Sequence, residues 1–304
     1  MTLVVGAIKG SQGVLVADTK VTFGVRDGVV DERERPPEGY VSVLDANRAE
    51  YENSVPKIVI LDRHLAVGYA GDDPAVKLRH LVGLRGGSPA GVLDELSGVE
   101  DAQYVVLADG EPLRLWQVRE GDVDERTTTT RKAWAGDNDA YGDFQREWSR
   151  WPDAMGVEFL ASSSAQFPIS FGTNESVGGF LTQLRRSHNG LHFVPHPVVI
   201  APHMLELASS DYHGRTLTMH YVVPHGVDPT YTFISACAGA GETFGACGYV
   251  ILPAQWGVVF PHDTPWNPVI IHAASVDDFV AIARSDYGQE LHGAENPYRL
   301  ATES

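Results

Sequence analysis

The chain has 304 residues, 43% of them hydrophobic, and a formal net charge of −17. That size supports one large or two modest cores, and the acidic balance argues against nucleic acid or anionic membrane partners. No apolar run approaches the roughly eighteen residues of a membrane span, and no basic n-region with an h-region marks a signal peptide. The expectation is a cytoplasmic chain.

In chain order, Met1-Thr2 opens directly onto an apolar strand, Leu3 to Ile8. Removal of Met1 would leave Thr2 with a hydroxyl and a free α-amine on one residue. An α-amine has a pKa of about 7.7–8.0, so it is partly neutral near pH 7 and can serve as the base for its own hydroxyl. A second apolar run from Gly13 to Ala17 follows a glycine turn and ends in a carboxylate, Asp18, which lies sixteen positions after Thr2. Val55-Pro56-Lys57-Ile58-Val59-Ile60 reads as a strand with a lysine at its start. Leu65 to Gly71 is another buried strand, and Gly71 lies fourteen positions after Lys57.

These residues resemble the proteasome β-subunit branch of the N-terminal-nucleophile (Ntn) hydrolases. That family has a processed N-terminal Thr, an Ala-Asp pair closing the next strand, a Lys heading a strand, and a strand ending in Ala-Gly or Ser-Gly. Thr2, Asp18, Lys57 and Gly71 fall on those positions. The chain departs from the pattern between Asp18 and Lys57, where residues 26–53, rich in Asp, Glu, Arg and Pro, look like an insertion.

Further along, Asp72 to Leu81 has the apolar spacing of a helix with acids in its first turn. Gln103–Gly110 and Pro112–Val118 read as a hairpin. Trp134-Ala-Gly136-Asp137 is similar to the family's glycine-serine-glycine-serine turn into a helix, with Asp137 in place of the serine. Asn174-Glu-Ser-Val177-Gly178-Gly179 resembles the later Asp-x-x-Ser-Gly-Gly element, with Asn174 and Val177 substituted. The altered serine turn points to the bacterial proteasome-like branch, the HslV and Anbu relatives. The resemblance covers roughly residues 2–200.

Past about residue 205 the chain reads as a C-terminal extension, 206–304, packed on the 1–205 core. Thr230–Cys237, Gly248–Leu252 and Trp256–Phe260 are strand-like, and Ser275 to Arg284 is a helix with a serine cap and an acidic first turn. Cys237 and Cys247 lack Cys-x-x-Cys spacing and read as reduced intracellular thiols. The Gly239–Gly245 stretch lacks the Gly-Lys-Ser/Thr ending of a phosphate loop and reads as a turn. His192, His196 and His203 could ligate a metal only with further ligands at fixed geometry. Neither metal nor cofactor is expected.

The resemblance implies an α+β fold, a four-layer αββα sandwich of two antiparallel sheets. It implies that Lys57, kept charged by Asp18, lowers the proton affinity of the Thr2 amine and stabilises its alkoxide. It also implies that the Gly71 amide forms the oxyanion hole. Val21, Val55, Tyr69 and Asp73 would then sit near the pocket for the residue before the scissile bond, with Val21 and Thr22 beside an extended substrate. Relatives assemble into rings, so a homo-oligomeric ring is a further expectation, with any unfoldase partner unspecified. The function expected is threonine-dependent hydrolysis of a peptide or amide bond. Two alternatives stand beside it. One is a catalytically inactive Ntn-fold scaffold, motivated by Asp137, Asn174 and Val177. The other is an amidase for a small-molecule amide, motivated by the insertion.

Overall fold

The structure, a computed structural model, describes residues 2–20, 54–126, 130–152, 154–170, 177–195, 197–199, 206–213, 216–222, 232–238, 245–251 and 255–293. Val21, Thr22, the 26–53 insertion, Asn174, His196, His203 and most of the Gly239–Gly245 turn lie outside the described residues.

The apolar runs near the N-terminus are too continuous for strands with one wet face. Leu3–Lys9 (β1) and Gln12–Ala17 (β2) bury nearly every residue, as do Ile58–Asp62 (β3) and Leu65–Gly71 (β4). Strands of this kind need cover on both sides. The first sheet runs β10-β9-β2-β1-β8, where β8 is Thr130–Gly136, β9 is Thr182–Ser187 and β10 is Gly190–Phe193. The second runs β3-β4-β5-β6-β7, with β5 Ala102–Ala108, β6 Arg114–Arg119 and β7 Asp122–Glu125. Every neighbouring pair in both sheets is antiparallel.

Strand alternation then sorts the side chains into layers. Val4, Ile8, Leu15 and Ala17 of the first sheet meet Ile58, Ile60, Ala66, Val105, Leu107 and Leu115 of the second in one buried cluster. The intervening residues point outward. Val59, Val67, Tyr69, Tyr104 and Val106 pack under helices α1 (Pro74–Gly83) and α2 (Pro89–Ser97). Leu3, Val5, Ala7, Val14 and Val16 pack under α3 (Asn138–Trp148) and α4 (Val157–Ser170). The order is helix, sheet, sheet, helix, which is the four-layer αββα sandwich expected from the sequence.

A third sheet adjoins this sandwich. It runs β11-β14-β15-β16-β17, from Pro197–Val199, Thr232–Ala238, Cys247–Ile251, Trp256–Phe260 and Val269–His272. Strand β18, Leu291–Gly293, pairs with β14. A separate ribbon joins β12 (Glu206–His213) to β13 (Thr216–Val222). One face of the third sheet contributes Tyr249, Trp256, Val258 and Phe260 to the central cluster. The other is covered by α5, Val276–Tyr287, whose Phe279 and Ala283 pack on Val250, Val259 and Ile271. Ser275 caps α5 by accepting the Asp278 amide at 3.0 Å. The same region reaches the α1 layer, where an Arg85 guanidinium nitrogen donates to the His262 carbonyl at 2.9 Å and Arg79 lies over the Trp266 ring. Among the described residues no helix is long and apolar enough to cross a membrane.

Candidate active site

Several strand ends meet at Thr2. Antiparallel register sets Val4 opposite Ala17, which brings Asp18 level with the start of β1. The Asp18 amide donates to the Leu3 carbonyl at 3.2 Å. Its carboxylate answers with three contacts. Oδ1 accepts the Thr2 hydroxyl and the Leu3 amide, both at 3.0 Å, and Oδ2 accepts the Gly178 amide at 3.4 Å. Thr2 is 2% exposed and Asp18 is fully buried. An ionised carboxylate only accepts hydrogen bonds, so this shell of donors suits the charged form.

Thr2 is gripped on its other side by β8. Its carbonyl accepts the Asp137 amide at 2.7 Å. The register places Leu3 opposite Gly136, whose φ of 107° is open to glycine, and a methyl group there would run into the Thr2 carbonyl. The turn aligned with the family's serine turn therefore does lie beside Thr2, and the contact is made by backbone. The Asp137 carboxylate accepts the Ala140 amide at 2.9 Å as the N-cap of α3, a role that satisfies an orphan helix donor.

Lys57 sits just before β3 and is 4% exposed. Its carbonyl accepts the Tyr69 amide at 2.9 Å, and its ammonium lies 5.6 Å from the centre of the Tyr69 ring. Burial pushes the Asp18 carboxyl up to about 6, against the opposing pull of Lys57 and of the Leu3, Thr2 and Gly178 hydrogen bonds. Burial also draws the Lys57 ammonium below its ordinary value, against the support of Asp18. The acid and the amine are thus brought closer in proton affinity than they are in water. Tyr69 is fully buried, and burial, then Asp18, then Tyr104, hold its phenol well above the usual range.

The remaining expected residues make local contacts of their own. Val55 is buried, with its amide on the Thr19 carbonyl at 2.9 Å, and its side chain joins Tyr69 in the cluster beneath α1 and α2. Gly71 is the exposed end of β4, opposite Ala102. Asp73 is exposed, adopts a left-handed φ of 49° and caps α1 by accepting the Val76 amide at 3.3 Å. Among the described residues no hydrogen bond joins Gly71 or Asp73 to Thr2, Asp18 or Lys57.

Two supporting contacts, from Gly178 and Thr19, were not assigned from the sequence. The Gly178 amide reaches Asp18, although the sequence drew attention to the substituted Val177 beside it. Val177 is buried under α3 and α4. Thr19 is buried as well, and its hydroxyl accepts the Phe180 amide at 2.8 Å. Gly179 has a φ of 73°, and a methyl group there would stand 2.6 Å from the Thr19 hydroxyl. The glycine pair was legible; the use of its amide on Asp18 had no local sequence signal. Among the described residues no group of His, Cys, Asp and Glu is arranged to hold a metal ion.

No protein-family model matches the chain, and no curated protein matches it. Among solved structures it is similar to the crystal structure of eukaryotic HslV from Trypanosoma brucei, with 14% sequence identity and a TM-score of 0.41, over 60% of this chain and 98% of that one.

Proposed function

We propose that the chain hydrolyses an amide bond with Thr2 as the nucleophile, once Met1 is removed. The observation that carries this reading is the 3.0 Å hydrogen bond from the Thr2 hydroxyl to Asp18, in a buried site that also holds Lys57. A surface threonine beside a strand end needs no such carboxylate.

The freed α-amine, through a water, takes the proton of the Thr2 hydroxyl. Asp18 orients that hydroxyl and keeps Lys57 cationic. The Lys57 charge in turn lowers the basicity of the amine enough to leave it neutral near pH 7, and stabilises the alkoxide. The alkoxide adds to the substrate carbonyl, the protonated amine returns its proton to the leaving nitrogen, and an ester to Thr2 remains. Water then hydrolyses that ester and restores the hydroxyl. The Gly71 amide is the proposed oxyanion donor, a contact worth about 2.7–4 kcal/mol in the transition state. Val21, Thr22, Val55, Tyr69 and Asp73 are the proposed substrate contacts. Ring assembly and a cytoplasmic location follow from the family resemblance alone, and mass photometry tests the former.

A small amide substrate is the second reading. The 26–53 insertion between Asp18 and Lys57 motivates it, because extra chain near the cleft would close it to polypeptides.

Mass spectrometry of the N-terminus is the first test. A retained Met1 blocks the amine and supports the inactive-scaffold alternative. In the processed protein, Thr2→Ala is expected to abolish hydrolysis of fluorogenic peptide amides and small anilides alike, with the fold intact by circular dichroism. Undiminished turnover in this variant would sink the mechanism. A preference between the two substrate sets separates peptidase from small-amide hydrolase.

A further inference from the structure

The third sheet touches the segment that completes the Asp18 shell. Tyr249 on β15 is buried, and its ring stacks on Phe180 with centroids 4.2 Å apart and planes within 4°. Its hydroxyl is 2.9 Å from the Thr182 hydroxyl and donates to the Leu181 carbonyl at 3.2 Å. One side chain therefore holds three consecutive residues, Phe180, Leu181 and Thr182. That segment is the inner neighbour of the site. Thr182 stands opposite Ala17, the residue before Asp18. The Phe180 amide donates to Thr19, and the Gly178 amide, two residues earlier, donates to Asp18.

We propose that Tyr249 is a positioning residue for Asp18, clamping the Gly178–Thr182 segment so that the Gly178 amide stays on the carboxylate. The proposal rests on Asp18 serving Thr2 as described above. The physical argument is one of entropy and geometry. A turn through Gly178 and Gly179 has more backbone freedom to lose than any other pair, and a 3.4 Å hydrogen bond tolerates little further drift before it is lost. An aromatic stack with a hydroxyl anchored at both ends fixes the chain just past that turn. The third sheet thereby supports the order of the site, and the sandwich alone would leave the glycine turn less restrained.

Amide hydrogen exchange on Tyr249→Phe tests this, because that variant keeps the ring and removes only the hydroxyl. The Gly178 and Phe180 amides are expected to exchange roughly tenfold faster or more, while the Val5 and Val16 amides in the sandwich core keep their wild-type rates. On a fluorogenic peptide amide, kcat is expected to fall several-fold with KM unchanged. Unchanged exchange at Gly178 and Phe180 overturns the proposal, and so does a uniform acceleration across the core, which marks a merely structural role. The exchange result needs no catalysis. A wild-type protein that hydrolyses no amide, with the exchange effect intact, refutes the hydrolase reading and leaves the clamp standing.

Discussion

Asp18 carries the site at the scale of single residues, and its titration makes that role measurable. Its carboxyl is raised from 3.8 to about 6, chiefly by burial, with Lys57 the largest opposing influence. A folded-state pKa above the unfolded one means the folded protein binds the proton more tightly. The stability that Asp18 contributes is therefore complete below about pH 3.8 and lost as pH rises to about 6, by a change on the order of 3 kcal/mol. The difference in unfolding free energy between wild type and Asp18→Asn should fall across that window and then level. Denaturant titrations at pH 4 and pH 7 measure it, and a difference that does not change between them would refute the burial argument. Removing the opposing charge should move the carboxyl further in the same direction. In Lys57→Met the Asp18 carboxyl carbon, followed by NMR, should titrate above its wild-type midpoint. A midpoint that stays put or drops would show that Lys57 exerts no field there.

At the scale of elements, much of what positions Thr2 was legible in the sequence. The strands β1, β2 and β4 announce themselves as continuous apolar runs, with Asp18 directly after β2 and Gly71 at the end of β4. Other elements gave weaker signals. Helix α2 starts at Ser88-Pro89, a cap and first-turn pair, but is only nine residues long. Helix α4 carries Pro168 inside it and a run of Ser and Ala that blurs its apolar face. Asp73 read as a substrate-facing acid or a first-turn charge, and it is the cap of α1, where its own side chain accepts the helix's free amide. Asp137 shows how one residue can hold two roles. Its backbone grips Thr2 while its carboxylate caps α3. Asp137→Ala should lose the cap, at a cost of about 0.5–2 kcal/mol. Asp137→Ser should keep it, because a serine hydroxyl accepts the same amide. Comparing the two melting curves with wild type checks this, and equal losses in both would show the cap to be unimportant. The two substitutions also separate capping from electrostatics. A carboxylate near the Thr2 amine favours the protonated amine, so the rate profile of Asp137→Ser should shift to lower pH, whereas a purely capping carboxylate leaves it in place.

At the scale of the whole molecule, the sequence marked three strands and a final helix after residue 205 and an extension packed on the core, but carried nothing about which strands pair or which face they cover. Pairings such as β14 with β18 join residues more than fifty positions apart, and no local pattern specifies them. The structure shows why the extension matters to the rest. Tyr249, Trp256, Val258 and Phe260 belong to the same buried cluster as Val4, Leu15, Val105 and Leu191, so the third sheet and the sandwich share one core. A shared core predicts shared unfolding. Cooperative units follow continuous buried contacts, and regions with separate cores melt separately. Phe260 is the residue on which to test this. It is 1% exposed and meets the Tyr249 ring edge-on at 6.3 Å. Phe260→Ala should destabilise the protein by about 3–5 kcal/mol, the range for a large buried aromatic cut to a methyl group. Calorimetry should show one transition in both proteins, moved as a whole to lower temperature in the variant. If instead a small early transition separates while the main one holds its position, the third sheet folds as an independent unit, and neither the shared core nor the clamp on the glycine turn is correct.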